Sequence, residues 1–101
     1  MGDLEYRKLS ETEIAENLLS LPGWAVRDGL LGREFEFPAY LDGADFAHRI
    51  ARIADDLDHH PEIRIGWRKV SISVNTHAVH GISPYDFELA RRIDALRSDF
   101  A

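Results

Sequence analysis

Val70-Ser71-Ile72-Ser73-Val74-Asn75 alternates apolar and polar side chains with a period of two, and Thr76-His77 follows. In an extended chain that period sends Val70, Ile72 and Val74 to one face and Ser71, Ser73, Asn75 and His77 to the other. A strand with a single apolar face calls for a second layer on that face. Just upstream, Ile63, Ile65 and Trp67 alternate in the same way and Gly66-Trp67-Arg68 lies at the turn, so the two runs read as a hairpin. A second hairpin lies nearer the N-terminus. There Trp24 and Val26 alternate with polar positions, Arg27-Asp28-Gly29 turns the chain, and Leu31, Phe35 and Phe37 follow with Glu34 and Glu36 among them.

Three helices are expected around these hairpins, and they share one opening pattern. Each has an apolar residue, a capping residue, an acid three positions on, and an apolar residue directly after the acid: Leu9-Ser10-Glu13-Ile14, Leu41-Asp42-Asp45-Phe46 and Ile82-Ser83-Asp86-Phe87. The cap oxygen satisfies an orphan amide, the acid suits the positive helix end, and the two apolar residues staple together. Pro84 falls at a first helical position, where a missing amide hydrogen costs little. Downstream run helical apolar faces: Ile14, Leu18 and Leu21; Phe46, Ile50, Ile53 and Leu57; Phe87, Ala90, Ile93 and Leu96. The expected fold is therefore α+β, with three helices packed on one face of a four-stranded antiparallel sheet in the order α-β-β-α-β-β-α. A single domain spans residues 1–101.

Composition narrows the chemistry. A formal net charge of −6 repels phosphate backbones and anionic lipid, so no direct nucleic-acid partner is expected. The chain has no cysteine, which removes disulfides, thiolate nucleophiles and cysteine-ligated zinc together. No apolar run approaches the roughly 20 residues that a membrane span needs. The opening Met1-Gly2-Asp3-Leu4-Glu5-Tyr6 is acidic, lacks a signal core, and has Tyr6 where a myristoylation pattern needs Ser or Thr. A cytoplasmic location is expected.

Asp55-Asp56-Leu57-Asp58-His59-His60-Pro61 closes the second helix. Pro61 disfavours helical geometry at His60, so the helix is expected to end there with two imidazoles at a fixed bend. Histidine titrates nearest neutrality, so the bend suits proton transfer. Equally, the imidazoles suit the negative end of a helix, and both readings stay open. His77 stands at the end of the last strand, before Ala78-Val79-His80-Gly81.

These stretches, with Trp67-Arg68-Lys69-Val70, Thr76-His77, Gly81-Ile82-Ser83 and Asp86, resemble the signature of the pterin-4a-carbinolamine dehydratase family. The likeness extends back through Leu21-Pro22-Gly23-Trp24 and the Phe35 to Phe37 strand, covering nearly the whole chain. It implies dehydration of 4a-hydroxytetrahydropterin to quinonoid dihydropterin, recycling the cofactor of aromatic amino acid hydroxylases. A small-molecule pterin is the implied substrate, and such a hydroxylase the pathway partner. No cofactor and no metal are implied, and the assembly is a homodimer or homotetramer.

By the same resemblance His59, His60 and His77 match the active-site histidines, with His59 and His77 the principal acid–base groups and His60 a positioning group. Asp55 stands where the family commonly has an acid; four residues before His59, it is placed to orient an imidazole or to lie solvated. Pro61, Thr76 and Ala78 fall among the implied substrate contacts, with Pro61 and Thr76 shaping the pocket and offering backbone groups. Trp24 walls the site or belongs to core or interface. Asp86 matches a family position but doubles as a capping acid, and the cap is the preferred reading. The chain departs from the pattern at Tyr85, where a basic residue is common, at Ile63, where an aromatic is, and at Val79-His80, where small or cysteine side chains are.

Two other readings compete. His59, His60, His77 and His80 contain enough donors for zinc, although adjacent histidines strain a single tetrahedral site. The resemblance also implies a non-catalytic role, since the fold serves as a dimerisation cofactor for a transcription factor and in assembly helpers.

Overall fold

The computed structural model describes residues 4–100, so Met1-Gly2-Asp3 of the N-terminal reading lies outside the described residues. The elements are α1 (Glu11–Leu18), β1 (Ala25–Arg27), β2 (Leu30–Glu36), α2 (Tyr40–Leu57), β3 (Glu62–Gly66), β4 (Lys69–Val74), a 3-10 turn (His77–Val79) and α3 (Pro84–Asp99). All strand pairs are antiparallel in the order β1-β2-β4-β3, so the hairpins join through their second strands. The expected helix and strand order is the observed one.

The turns follow from local chemistry. Arg27 pairs with Leu30 across Asp28-Gly29, whose φ angles of 53° and 75° put both turn residues in the left-handed region, the two-residue hairpin geometry that matches the right-handed twist of the strands. Gly66 pairs with Lys69 across Trp67-Arg68, with Arg68 at φ 61°. Gly32 leaves no room for a side chain beside β4, since a Cβ there would lie 2.8 Å from the Ile72 carbonyl oxygen.

Val70, Ile72 and Val74 are buried as the period of two requires, and Leu31, Phe35 and Phe37 join them on the helix side. Phe46, Ile50, Phe87, Leu89 and Ile93 close the core from α2 and α3, and Phe46 makes tilted or edge contacts with Phe35 and Phe37 at 5.0 Å.

Ser10 and Ser83 cap α1 and α3 as expected, each completing a capping box with Glu13 or Asp86. The middle helix departs from expectation at both ends. It begins at Tyr40 behind Ala39, without a side-chain cap, so Asp42 lies in its first turn and not before it. Leu41 is 76% exposed, which leaves no staple to Phe46. Buried Phe37, whose amide donates to the Arg68 carbonyl, ends the sheet close to the helix and brings its start forward.

At the other end α2 stops at Leu57, three residues before the position Pro61 was expected to set. Asp58 adopts the left-handed conformation at φ 53°, its amide donates to Asp55 O at 3.2 Å, and the His59 amide donates to Ala54 O at 3.0 Å. These are the two bonds of a Schellman closure. The closure turns the His59 side chain inward, where it is 8% exposed, while His60 stays outside.

Asp58 pays the steric cost of a left-handed residue, so Asp58→Val is expected to lower unfolding free energy by about 1–2 kcal/mol, whereas Asp58→Gly holds or raises it. Urea midpoints at unchanged m-value measure the difference.

Candidate active site

Asp86 has no solvent exposure. Its carboxylate is fixed first by capping: the Ser83 amide donates to Oδ2 at 2.8 Å, while Ser83 Oγ accepts from the Tyr85 amide at 3.2 Å. Two further groups converge on it. Thr76 Oγ1 donates to Oδ2 at 2.8 Å, and His59 Nε2 lies 2.6 Å from Oδ1. A carboxylate withdrawn from water requires such donors, and three separate segments of the chain supply them.

Proton bookkeeping fixes the orientations. The single hydroxyl proton of Thr76 goes to Asp86, so in the 2.7 Å contact between hydroxyls Ser83 is the donor. Facing a carboxylate oxygen, His59 Nε2 carries a proton. No protein group among the described residues bonds Nδ1, and no buried side-chain nitrogen or oxygen among them lacks a partner, so Nδ1 is open to solvent. Buried carboxylate, oriented imidazole and an accessible second nitrogen form the arrangement that holds a histidine in one tautomer for acid–base work.

The sequence-derived candidates divide into groups. His59, Thr76 and Asp86 come together in the buried network, and Thr76 Oγ1 is 3.5 Å from His59 Nε2. His60 pairs with Asp55 at 2.9 Å on the exposed side of the bend. Asp55 therefore orients His60 and not His59, because the left-handed Asp58 breaks the helical spacing on which the expected pairing relied. His77 follows Thr76 directly in the 3-10 turn and is exposed, as is Ala78; Pro61 is half-buried behind His60. No side-chain hydrogen bond among the described residues links His77 to His59 or His60.

Thr76 does not offer the free backbone groups expected of it. Its amide donates to Gly81 O at 2.8 Å, and its carbonyl accepts from the Val79 and Gly81 amides. Trp24 belongs to the core, where its indole N–H donates to Asp94 Oδ1 at 2.8 Å beside Arg33. Asp94 lies eight residues beyond Asp86 on α3, about 12 Å along the helix, so Trp24 stands apart from the histidine network.

Capping was only half of the role of Asp86, since one carboxylate both caps α3 and holds His59. Ser83 and Tyr85 were not expected in the site. Tyr85 packs its ring 5.6 Å from the His59 ring, and its place beside Asp86 at a helix start is the signal that points to it. Among the described residues no three His, Asp or Glu side chains gather as metal ligands would, and none of the helices is long and apolar enough to cross a membrane.

The chain is similar to several known proteins. Residues 7–96 match the family model described as pterin 4 alpha carbinolamine dehydratase. A relative from Mycolicibacterium smegmatis, which carries the provisional name pterin-4-alpha-carbinolamine dehydratase, is 42% identical over 91 residues, covering 90% of this chain and 97% of its own. One of the same provisional name from Sulfurisphaera tokodaii is 36% identical over 90 residues, covering 89% and 97%. The crystal structure of a transcriptional coactivator/pterin dehydratase from Brucella melitensis superposes with a TM-score of 0.84 at 32% identity, over 89% of this chain and 98% of that one. A pterin dehydratase-like protein identified as a RuBisCO assembly factor in the alpha-carboxysome shares the fold at a TM-score of 0.59 and 24% identity, over 72% and 84%.

Asp86→Asn keeps the volume but replaces an acceptor by an amide donor, so one of the donors around it loses its partner. The expected cost is about 1–3 kcal/mol of unfolding free energy, measured by chemical denaturation.

Proposed function

This chain belongs to the pterin 4 alpha carbinolamine dehydratase family, and from that premise we propose that it dehydrates 4a-hydroxytetrahydropterin to quinonoid dihydropterin and water. The carbon–oxygen bond at C4a breaks, a proton reaches the departing oxygen, and the adjacent ring nitrogen gives up its proton as a carbon–nitrogen double bond forms. Oxidation level is unchanged. The reaction needs one proton donor and one acceptor, and histidines near neutrality suit both.

The observation that carries this reading is the 2.6 Å bond from His59 to a fully buried carboxylate, which leaves Nδ1 to exchange a proton. A histidine that merely capped a helix would have no need of a desolvated acid. His77 is assigned as the second acid–base group, one residue beyond Thr76 of the network, and His60, tied to Asp55, as a positioning group. The proposed setting is a cytoplasmic homodimer or homotetramer that serves an aromatic amino acid hydroxylase and requires no metal or cofactor.

His59→Ala and His77→Ala are each expected to lower kcat for a 4a-hydroxypterin by about 10²–10⁴-fold while leaving the oligomeric state unchanged. Stopped-flow absorbance with size-exclusion chromatography checks both. Wild-type turnover no faster than the spontaneous reaction would overturn the enzyme reading in favour of a binding or assembly module.

A further inference from the structure

The chain before α1 lies against the start of α3. The Leu9 amide donates to Ile82 O at 2.8 Å, and the Lys8 stem runs over Gly81, where an added Cβ would meet it at 2.9 Å. Three residues upstream of Leu9, Tyr6 meets Tyr85, three residues downstream of Ile82. The two rings stack at 4.3 Å with only 14° between their planes. Tyr85 in turn leans on His59, 5.6 Å between centroids at 39°. The Tyr6 phenol is held above its usual value, first by desolvation, then by the Tyr85 phenol and the Asp58 carboxylate beside it. Tyr6 is thus near both segments that flank His59: the closure of α2 and the first turn of α3.

Nothing in the capping of α3 requires an aromatic ring at position 85, because Ser83 and Asp86 complete the capping box through other atoms. A cation there would stand beside an imidazole whose work is to gain and lose a proton; a stacked phenol adds no formal charge at neutral pH. Offset and tilted aromatic contacts have preferred geometries, so a ring backed by a second ring restricts the imidazole more tightly than an aliphatic wall would.

We propose that Tyr85, backed by Tyr6, is a positioning residue for His59: the stacked pair holds the imidazole against Asp86 and directs Nδ1 to a single approach. The consequence for catalysis rests on the dehydratase reading, but the orientation of the ring does not. Misplacement of a reacting group by about 1 Å can cost 10²-fold in rate. Tyr85→Ala is therefore expected to lower kcat at least tenfold with KM within about twofold, and Tyr6→Ala to lower it less. Tyr85→Phe, which keeps the ring, should restore kcat to within about twofold of wild type.

Nitrogen-15 NMR of the histidine rings supplies a readout independent of turnover. Wild type and Tyr85→Phe should show His59 as a single Nε2-protonated species, and Tyr85→Ala an averaged signal. If Tyr85→Ala does not fold, Tyr6→Ala, altered at a half-exposed residue, carries the same measurement. A unique His59 tautomer and unchanged kcat in the alanine variants would overturn the proposal. So would a phenylalanine variant as impaired as alanine, since the phenol hydroxyl would then be the working group. Should wild type have no dehydratase activity, the NMR result alone decides whether the aromatic pair orients His59.

Discussion

A carboxylate cannot be taken fully out of water unless its oxygens find donors, and the burial of Asp86 imposes that condition on three segments of the chain. The Ser83 amide meets it from the same helix start, Thr76 from the end of β4, and His59 from the end of α2. Each partner constrains its own element. Ser83 and Asp86 set where α3 begins, Thr76 closes an isolated bridge with Gly81 that brings the chain back toward α3, and His59 must point inward after the helix ends. The buried acid holds these three segments in one arrangement.

Much of the architecture could be read in the sequence because its elements obey short-range rules. The period of two in Val70 to Val74, the two serine capping boxes and Asp28-Gly29 depend on neighbours within four residues, and each appears in the structure as the local chemistry requires. The middle helix departs from its local pattern at both ends because its limits are tertiary. Its start follows the burial of Phe37, and its end follows a left-handed Asp58, a conformation that an aspartate tolerates but does not announce.

The site was legible as a set of residue types and less so as a set of pairings. The bend before Pro61 drew attention to two histidines, yet only the structure separates them: His59 turns inward to Asp86 and His60 outward to Asp55. Asp55 stands four residues before His59 yet bonds His60, because the helical spacing ends at Leu57, and it lies on the exposed face that the sequence also allows. Asp86 lies 27 residues from His59, a separation that no local pattern spans, and its capping role gave a sufficient reason for its identity without the second one. Trp24 illustrates the converse, since its size and family position are met by the core and by Asp94.

The bond between His59 and Asp86 also ties the geometry of the site to the docking of the last helix. His59 belongs to the α2–β3 junction and Asp86 to a helix that docks later in the chain, so the oriented imidazole does not exist in any partly folded form in which α3 has come away. Such a form would lack the buried carboxylate that fixes the His59 ring. The orientation of His59 thus depends on the docking of α3, whose Phe87, Leu89 and Ile93 belong to the same core as the sheet.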